Sequence, residues 1–310
     1  MNIAFMFSGQ GSQYLGMGKE FYQKYDYVRE IFDSAVKITG YPIAEICFED
    51  EVKLFQTKYT QVCMFTLYHA ILTVLKNNNV EANYSMGLSL GEYGAYLHNN
   101  VFDFETGLLI VKQRALLMEE AVQKTSGKMS AIIGLDASKL ARIIEEVPGY
   151  VTIANYNTYD QLVVSGEENS INSLNQLALE KGAKRAILLS TAGAFHSKKM
   201  LDAEKDFEGF LDKIYLNEPS KTLLVNLTGD FYNPEFQIKD IFTKQLSNSV
   251  KFYQMVEKLI NVGVDTFIEI GPKKTLCSFV KKINMEVMVM NVEDETSLIQ
   301  TLTKMEENHG

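Results

Sequence analysis

Hydrophobic and polar positions divide the chain into short, punctuated segments. Residues 3–7 are an unbroken apolar run, the pattern of a strand buried on both faces of a parallel sheet. A loop of small residues follows, then a predicted helix over 17–25. Residues 28–47 read as helical with a break at Gly40-Tyr41-Pro42, and 60–72 as a largely buried helix. A short strand over 82–86 precedes Leu90, Tyr93, Gly94, Ala95 and Leu97, which have the spacing of a helix that packs on one side. Residues 104–123 carry a helical stripe at Leu108, Val111, Ala115, Met118 and Val122.

The pattern then changes. Strand 129–135, helix 137–147, strands 151–157 and 161–166, helix 168–181 and strand 185–190 give the order β-α-β-β-α-β, the split βαβ signature of a ferredoxin-like unit. Its position predicts that it walls one side of a cleft. Beyond it the pattern predicts a long helix over 199–214, a strand over 223–228, and helices over 238–246 and 252–261. A strand over 266–270, stopped by Gly271-Pro272, leads to a lysine-rich helix, a strand over 287–292 and a fraying tail helix after Asp294. Strands alternating with helices on both sides of the unit imply a mostly parallel sheet covered on both faces.

Composition narrows this only a little. The chain has 310 residues, 46% of them hydrophobic, enough for one large unit plus a smaller one. A net charge of −9 argues against a dedicated nucleic-acid binder. No apolar run reaches membrane-spanning length, and the apolar start lacks a basic flank and breaks at Ser8-Gly9, unlike a signal peptide. Cys47, Cys63 and Cys277 show no metal-ligand spacing and read as buried free thiols of a cytoplasmic protein. Five prolines and no low-complexity stretch leave no obvious linker, and no internal repeat is visible.

The chemistry centres on Gly87-Leu88-Ser89-Leu90-Gly91, a G-x-S-x-G sequence between a predicted strand and helix. Such a turn pushes its serine into a cleft at a helix N-terminus, where free N–H groups can receive an oxyanion. The five residues alone fit an ordinary glycine-rich turn as well. Ser8-Gly9-Gln10-Gly11-Ser12-Gln13 is a second strand-to-helix loop able to offer N–H groups. Tyr14 stands where a dinucleotide fingerprint needs glycine. Arg114 lies beside the apolar stripe of its helix and calls either for a protein carboxylate or for a ligand carboxylate.

A serine hydroxyl needs a general base, and there are four histidines. His309 is in the terminal tail, and His98 lies on the serine's own helix, about 13 Å further along it. His69 sits in a long apolar helix as a packed core residue. His196 remains, on a loop of small residues. Position alone makes a solvent-exposed side chain the default there, and the presence of Ser89 and Arg114 in the same chain counts against it.

Ser8-Gly9-Gln10-Gly11-Ser12-Gln13, Gly87-Leu88-Ser89-Leu90-Gly91-Glu92-Tyr93, Arg114 and Gly193-Ala194-Phe195-His196-Ser197, in this order, resemble the malonyl-CoA:acyl carrier protein transacylase family. Phe267-Ile268-Glu269-Ile270-Gly271-Pro272 resembles its closing strand and turn, so the resemblance covers residues 3 to about 283. It implies an α/β-hydrolase-like core, at 1–127 and 191–310, with a ferredoxin-like subdomain at 128–190. By the same resemblance Ser89 is the nucleophile, His196 the base, and the Gln245 backbone carbonyl orients the histidine. The N–H groups of Gln10 and Leu90 form the oxyanion hole, Arg114 grips the malonyl carboxylate, and Gln61 lines that pocket.

Two positions depart from the family. Leu88 stands where histidine usually precedes the nucleophile, and activity is expected to survive this. Asn248-Ser249-Val250 stands where Ser-Pro-Val or Asn-Pro-Val is common. The expected activity is ping-pong transfer from malonyl-CoA to the phosphopantetheine thiol of an acyl carrier protein, without metal or bound cofactor, by a monomer. The acidic carrier would meet Lys273, Lys274, Lys281 and Lys282, or Lys198 and Lys199. Fatty acid synthesis is the expected setting. A stand-alone polyketide acyltransferase shares every motif, and Gly193-Ala194-Phe195-His196 resembles the malonyl-selecting loop of that group. A carrier-directed serine hydrolase is disfavoured by Arg114, since simple acyl groups offer it no carboxylate.

Overall fold

A computed structural model describes residues 1–308. The strands are β1 (Ile3–Phe7), β2 (Tyr84–Gly87), β3 (Lys128–Ile133), β4 (Val151–Tyr156), β5 (Gln161–Gly166), β6 (Arg185–Leu188), β7 (Thr222–Val225), β8 (Asp230–Phe231), β9 (Thr266–Ile270) and β10 (Met288–Val292). Six of them form one sheet in the order β10-β9-β1-β2-β7-β8, parallel except for β8. Burial of both faces explains why β1 is apolar throughout: helices Thr57–Asn77 and Phe104–Lys124 belong to the large core on one side. Phe252–Asn261 and Thr275–Ile283 pack against Met6, Met86 and Phe267 on the other.

The register matters for function. Phe7 pairs with Gly87 on one side and with Ile270 on the other. The loops that leave β1, β2 and β9 therefore emerge together at the carboxyl edge of the sheet, where open parallel sheets hold their ligands. The second sheet, β4-β5-β3-β6, is antiparallel. With helices Ala137–Glu146 and Glu168–Glu180 packed on it, this is a ferredoxin-like unit. It is tied to the core where Val250 N–H donates to the Ala154 carbonyl and Tyr156 N–H to that of Val250, both at 2.8 Å. Ser249 Oγ adds a bond to the Ile153 carbonyl at 2.6 Å, so the chain closes here through a hydroxyl.

Several elements differ from the sequence expectation. The strand over 223–228 ends at Val225, and a turn at Gly229, whose φ is +69°, returns the chain as β8. The helix over 199–214 opens with a 3₁₀ turn, Lys198–Met200, and continues as Leu201–Leu211. The buried helix over 60–72 runs further, Thr57–Asn77. The tail helix, Glu295–Glu307, starts from a capping box of Asp294 and Ser297 that satisfies its first N–H groups. His309 lies outside the described residues. No helix of the described residues is long and apolar enough to cross a membrane.

Candidate active site

Ser89 sits between β2 and the helix Gly91–His98 with φ at +53°, a left-handed conformation that a non-glycine residue holds only under constraint. The flanking glycines are a steric requirement. A Cβ on Gly87 would lie 2.0 Å from the Gly91 carbonyl carbon, and one on Gly91 would lie 2.0 Å from the Phe7 oxygen. Asn226 supplies the constraint. Its Oδ1 accepts from Ser89 N–H at 2.8 Å, and its Nδ2 donates to the Gly87 carbonyl at 2.7 Å. Sequence reading missed this residue; the available signal was one amide in the apolar run Leu223 to Leu227.

His196, only 4% exposed, faces the serine with Nε2 2.6 Å from Ser89 Oγ. Its Nδ1 lies 2.9 Å from the Gln245 carbonyl and 3.1 Å from that of Asn248. Carbonyls only accept, so Nδ1 carries the proton and Nε2 is left to receive one from the hydroxyl. Burial, reinforced by the nearby Arg114 charge, pushes the imidazole down to about 4 and keeps it neutral. His98 instead contacts the Ala82 carbonyl and packs on Phe5, and His69 stacks on Phe104.

Arg114 is fully buried, and its hydrogen-bond partners are all neutral. Nη1 donates to Gln61 Oε1 at 2.7 Å, while Nη2 donates to Gln245 Oε1 at 3.0 Å and to Ser89 Oγ at 3.2 Å. Its Nε has no partner among the described residues, and its guanidinium lies over the Tyr93 ring. A protein carboxylate in ion pair with Arg114 is thus absent among the described residues. Gln61 Nε2 continues the chain to Gln10 Oε1 at 3.2 Å, and Gln10 Nε2 reaches Thr57 Oγ1 at 3.1 Å. The backbone N–H groups of Gln10 and Leu90 make no hydrogen bond among the described residues. Beneath the serine, Glu92 is wholly buried: Oε1 accepts from Asn226 N–H at 2.8 Å and Oε2 from Gln245 Nε2.

These groups open into a cleft of about 520 Å³. Ser89, Arg114, His196, Leu88 and Phe195 line its floor, and Met129, Ala131 and Val163 of the small sheet form a wall. Leu88 fills its place by apolar contact and brings no polar atom to the floor. Lys273, at φ +67°, reaches toward the Gly11 carbonyl, and Lys282 toward Gln161. Lys198 covers the Tyr150 ring and Lys199 pairs with Glu167. No cluster of three metal-ligating side chains occurs among the described residues.

Residues 4–309 match the family model described as an acyl transferase domain. The chain is 35% identical over 313 aligned positions to the malonyl CoA-acyl carrier protein transacylase of Bacillus subtilis, covering 99% of both proteins. Among solved structures it is similar to the malonyl CoA-acyl carrier protein transacylase of Clostridium perfringens, at 40% identity and a TM-score of 0.96, covering 100% of this chain and 98% of that one. It is similar too, at 30% identity and a TM-score of 0.94, to a malonyl-transacylase solved with its type II polyketide acyl-carrier protein, covering 98% and 100%. Matched over nearly its whole length in both sequence and fold, the chain belongs to the malonyl CoA-acyl carrier protein transacylase family.

Proposed function

We propose that this protein transfers the malonyl group of malonyl-CoA to the phosphopantetheine thiol of an acyl carrier protein through a malonyl ester on Ser89. His196 Nε2 takes the Ser89 proton as Oγ attacks the thioester carbonyl. The tetrahedral oxyanion is received by the N–H groups of Gln10 and Leu90. Collapse expels the CoA sulfur with the proton held by His196. The carrier thiol then gives its proton to His196 and attacks the ester, and His196 returns that proton to Oγ as Ser89 leaves, so the kinetics are ping-pong. The observation that carries this reading is Arg114, a buried cation without a carboxylate partner among the described residues, 3.2 Å from the Ser89 hydroxyl. A malonyl group is an acyl chain with one carboxylate to offer it.

The residue roles follow from this reading: Ser89 nucleophile, His196 base, Gln245 carbonyl orienting the base, Arg114 carboxylate grip, Gln61 support of that grip. The core comprises 1–127 and 191–310, of which residues 309 and 310 lie outside the described residues, and the inserted subdomain 128–190. The three buried free cysteines favour a cytoplasmic protein, and we take it as a monomer. The lysines on either side of the cleft are the proposed docking patch for an acidic carrier. A polyketide setting is the second reading, supported by the similarity to the polyketide malonyl-transacylase. Incubation with radiolabelled malonyl-CoA tests the chemistry: label retained on the wild type, absent from Ser89→Ala, and passed on to holo carrier protein. Stoichiometric labelling of Ser89→Ala places the nucleophile elsewhere, and rapid release as malonate makes the protein a hydrolase. Comparing fatty acid and polyketide carriers as acceptors separates the two settings.

A further inference from the structure

The mechanism above leaves one buried acid unused. Glu92 lies three residues beyond the nucleophile, on the inner face of the helix Gly91–His98, with no exposure to solvent. A carboxylate is rarely buried without a specific set of donors, and here the donors belong to the two residues that hold the site together. Oε1 receives the backbone N–H of Asn226, the residue whose side chain clamps Ser89 N–H and Gly87 O. Oε2 receives Nε2 of Gln245, whose other amide atom, Oε1, accepts from Arg114.

The orientation of the Gln245 amide is the crux. Arginine has only donors, so the amide must turn its oxygen toward Nη2 and its NH₂ away. That NH₂ needs acceptors on the far side, and it meets two, the Ser89 carbonyl at 2.9 Å and the Glu92 carboxylate. With a donor in place of Glu92, the NH₂ would keep only the Ser89 carbonyl on that side and would meet a donor beside it. The preference for the orientation that serves Arg114 would be weaker. The negative charge also lies one amide away from the guanidinium and offsets part of its burial.

We propose that Glu92 is a positioning residue of malonyl transfer, fixing Arg114 for the substrate carboxylate through the Gln245 amide while fixing Ser89 through Asn226. This rests on the reading of Arg114 as the carboxylate grip. Protonation should act like removal of the acceptor. Burial pushes the Glu92 carboxyl up to about 7, against the bonds from Asn226 and Gln245 and the Arg114 charge, which lower it. The titratable groups that face it are Tyr93 and Tyr96 on its own helix and Arg114 on Phe104–Lys124. Burial pushes both tyrosines up and Arg114 loses no proton in this range, so of these groups only Glu92 titrates. Burial also pushes Glu269 of β9 up to about 7, but its oxygens accept from the Leu276 and Cys277 N–H groups and not from Gln245, so the flattened profile of Glu92→Gln separates the two.

The test is the ratio of kcat/KM for malonyl-CoA to that for acetyl-CoA, measured between about pH 5.5 and 8.5, where the substrate carboxylate stays ionised. The ratio does not depend on the fraction of folded enzyme. In the wild type it should fall as pH drops through about 7. Glu92→Gln should lower it about ten- to a hundredfold, the scale of one hydrogen bond to a charged group, and flatten its pH dependence. Because Glu92 acts through Gln245, adding Glu92→Gln to Gln245→Ala should lower the ratio little further. An unchanged ratio in Glu92→Gln, or losses that multiply in the double variant, overturns the proposal if Arg114→Ala collapses the ratio in the same assay. If Arg114→Ala leaves the ratio intact, the carboxylate grip itself is wrong and the role of Glu92 falls with it.

Discussion

Replacing Arg114 by alanine separates substrate recognition from scaffolding. The guanidinium has three neutral hydrogen-bond partners and an Nε without one, and it is fully buried. Burying a charge so incompletely paired is unfavourable, and a bound carboxylate relieves that. A hydrogen bond to a charged group contributes about 1.5–3 kcal/mol, so losing the grip should cut kcat/KM for malonyl-CoA by at least about tenfold, at about 1.4 kcal/mol per factor of ten. Acetyl-CoA has no second carboxylate and gains nothing from the charge. Its transfer should fall little or rise as the floor loses an unfavourably buried cation. The substitution also strands Gln61 Oε1 and Gln245 Oε1, a cost of about 1–3 kcal/mol each where no water replaces the donor. A thermal melt belongs beside the kinetics for that reason. Steady-state transfer to holo carrier protein from each thioester gives the two constants. Equal losses on both substrates, accompanied by a lower Tm, would refute the assignment and make Arg114 a structural residue.

Two further substitutions probe the base and the turn. His196→Asn should slow transfer about 10²- to 10⁴-fold, the usual contribution of a general base. It should also unfold at lower pH than the wild type in an acid titration followed by circular dichroism. The His196 imidazole, depressed to about 4 from an ordinary 6.5, contributes stability that is full above 6.5 and lost as pH falls through about 4; an acid midpoint that does not move would contradict the burial argument. Gly91→Ala places a Cβ 2.0 Å from the Phe7 oxygen, so β1 and the helix must part. A loss above about 3 kcal/mol in urea unfolding is expected, at the upper end of single substitutions, and wild-type stability would show that the elbow is not this tight.

What sequence alone determined is what near neighbours encode. Alternating apolar runs and helical stripes placed nearly every element, because a strand or an amphipathic helix is specified by residues within a few positions of one another. β5 and the helix Phe252–Asn261 have the bounds their patterns predict. The G-x-S-x-G turn was legible from its spacing, although only Gly87 answers a local steric demand, against Gly91, while Gly91 makes room for Phe7 of β1. Elimination brought His196 forward because the chain has few histidines to consider. The exceptions are also local in cause. β8 is only two residues long, too short for any periodicity, and depends on the turn at Gly229.

Tertiary structure alone decided how these pieces meet. The register that aligns Phe7 with Gly87 and Ile270 joins strands from three distant parts of the chain, and no local pattern carries it. Asn226 had no signal beyond a polar residue among apolar ones, and Glu92 was legible as part of the serine motif but not in its contacts, since their partners lie 137 and 153 positions away. Gln245 was legible for its backbone carbonyl, through resemblance, but not for its side chain. Which way an amide turns depends on the donors and acceptors on each side of it. Here Arg114, Ser89 and Glu92 converge from two helices and a turn, and only their packing brings them to the same few ångströms.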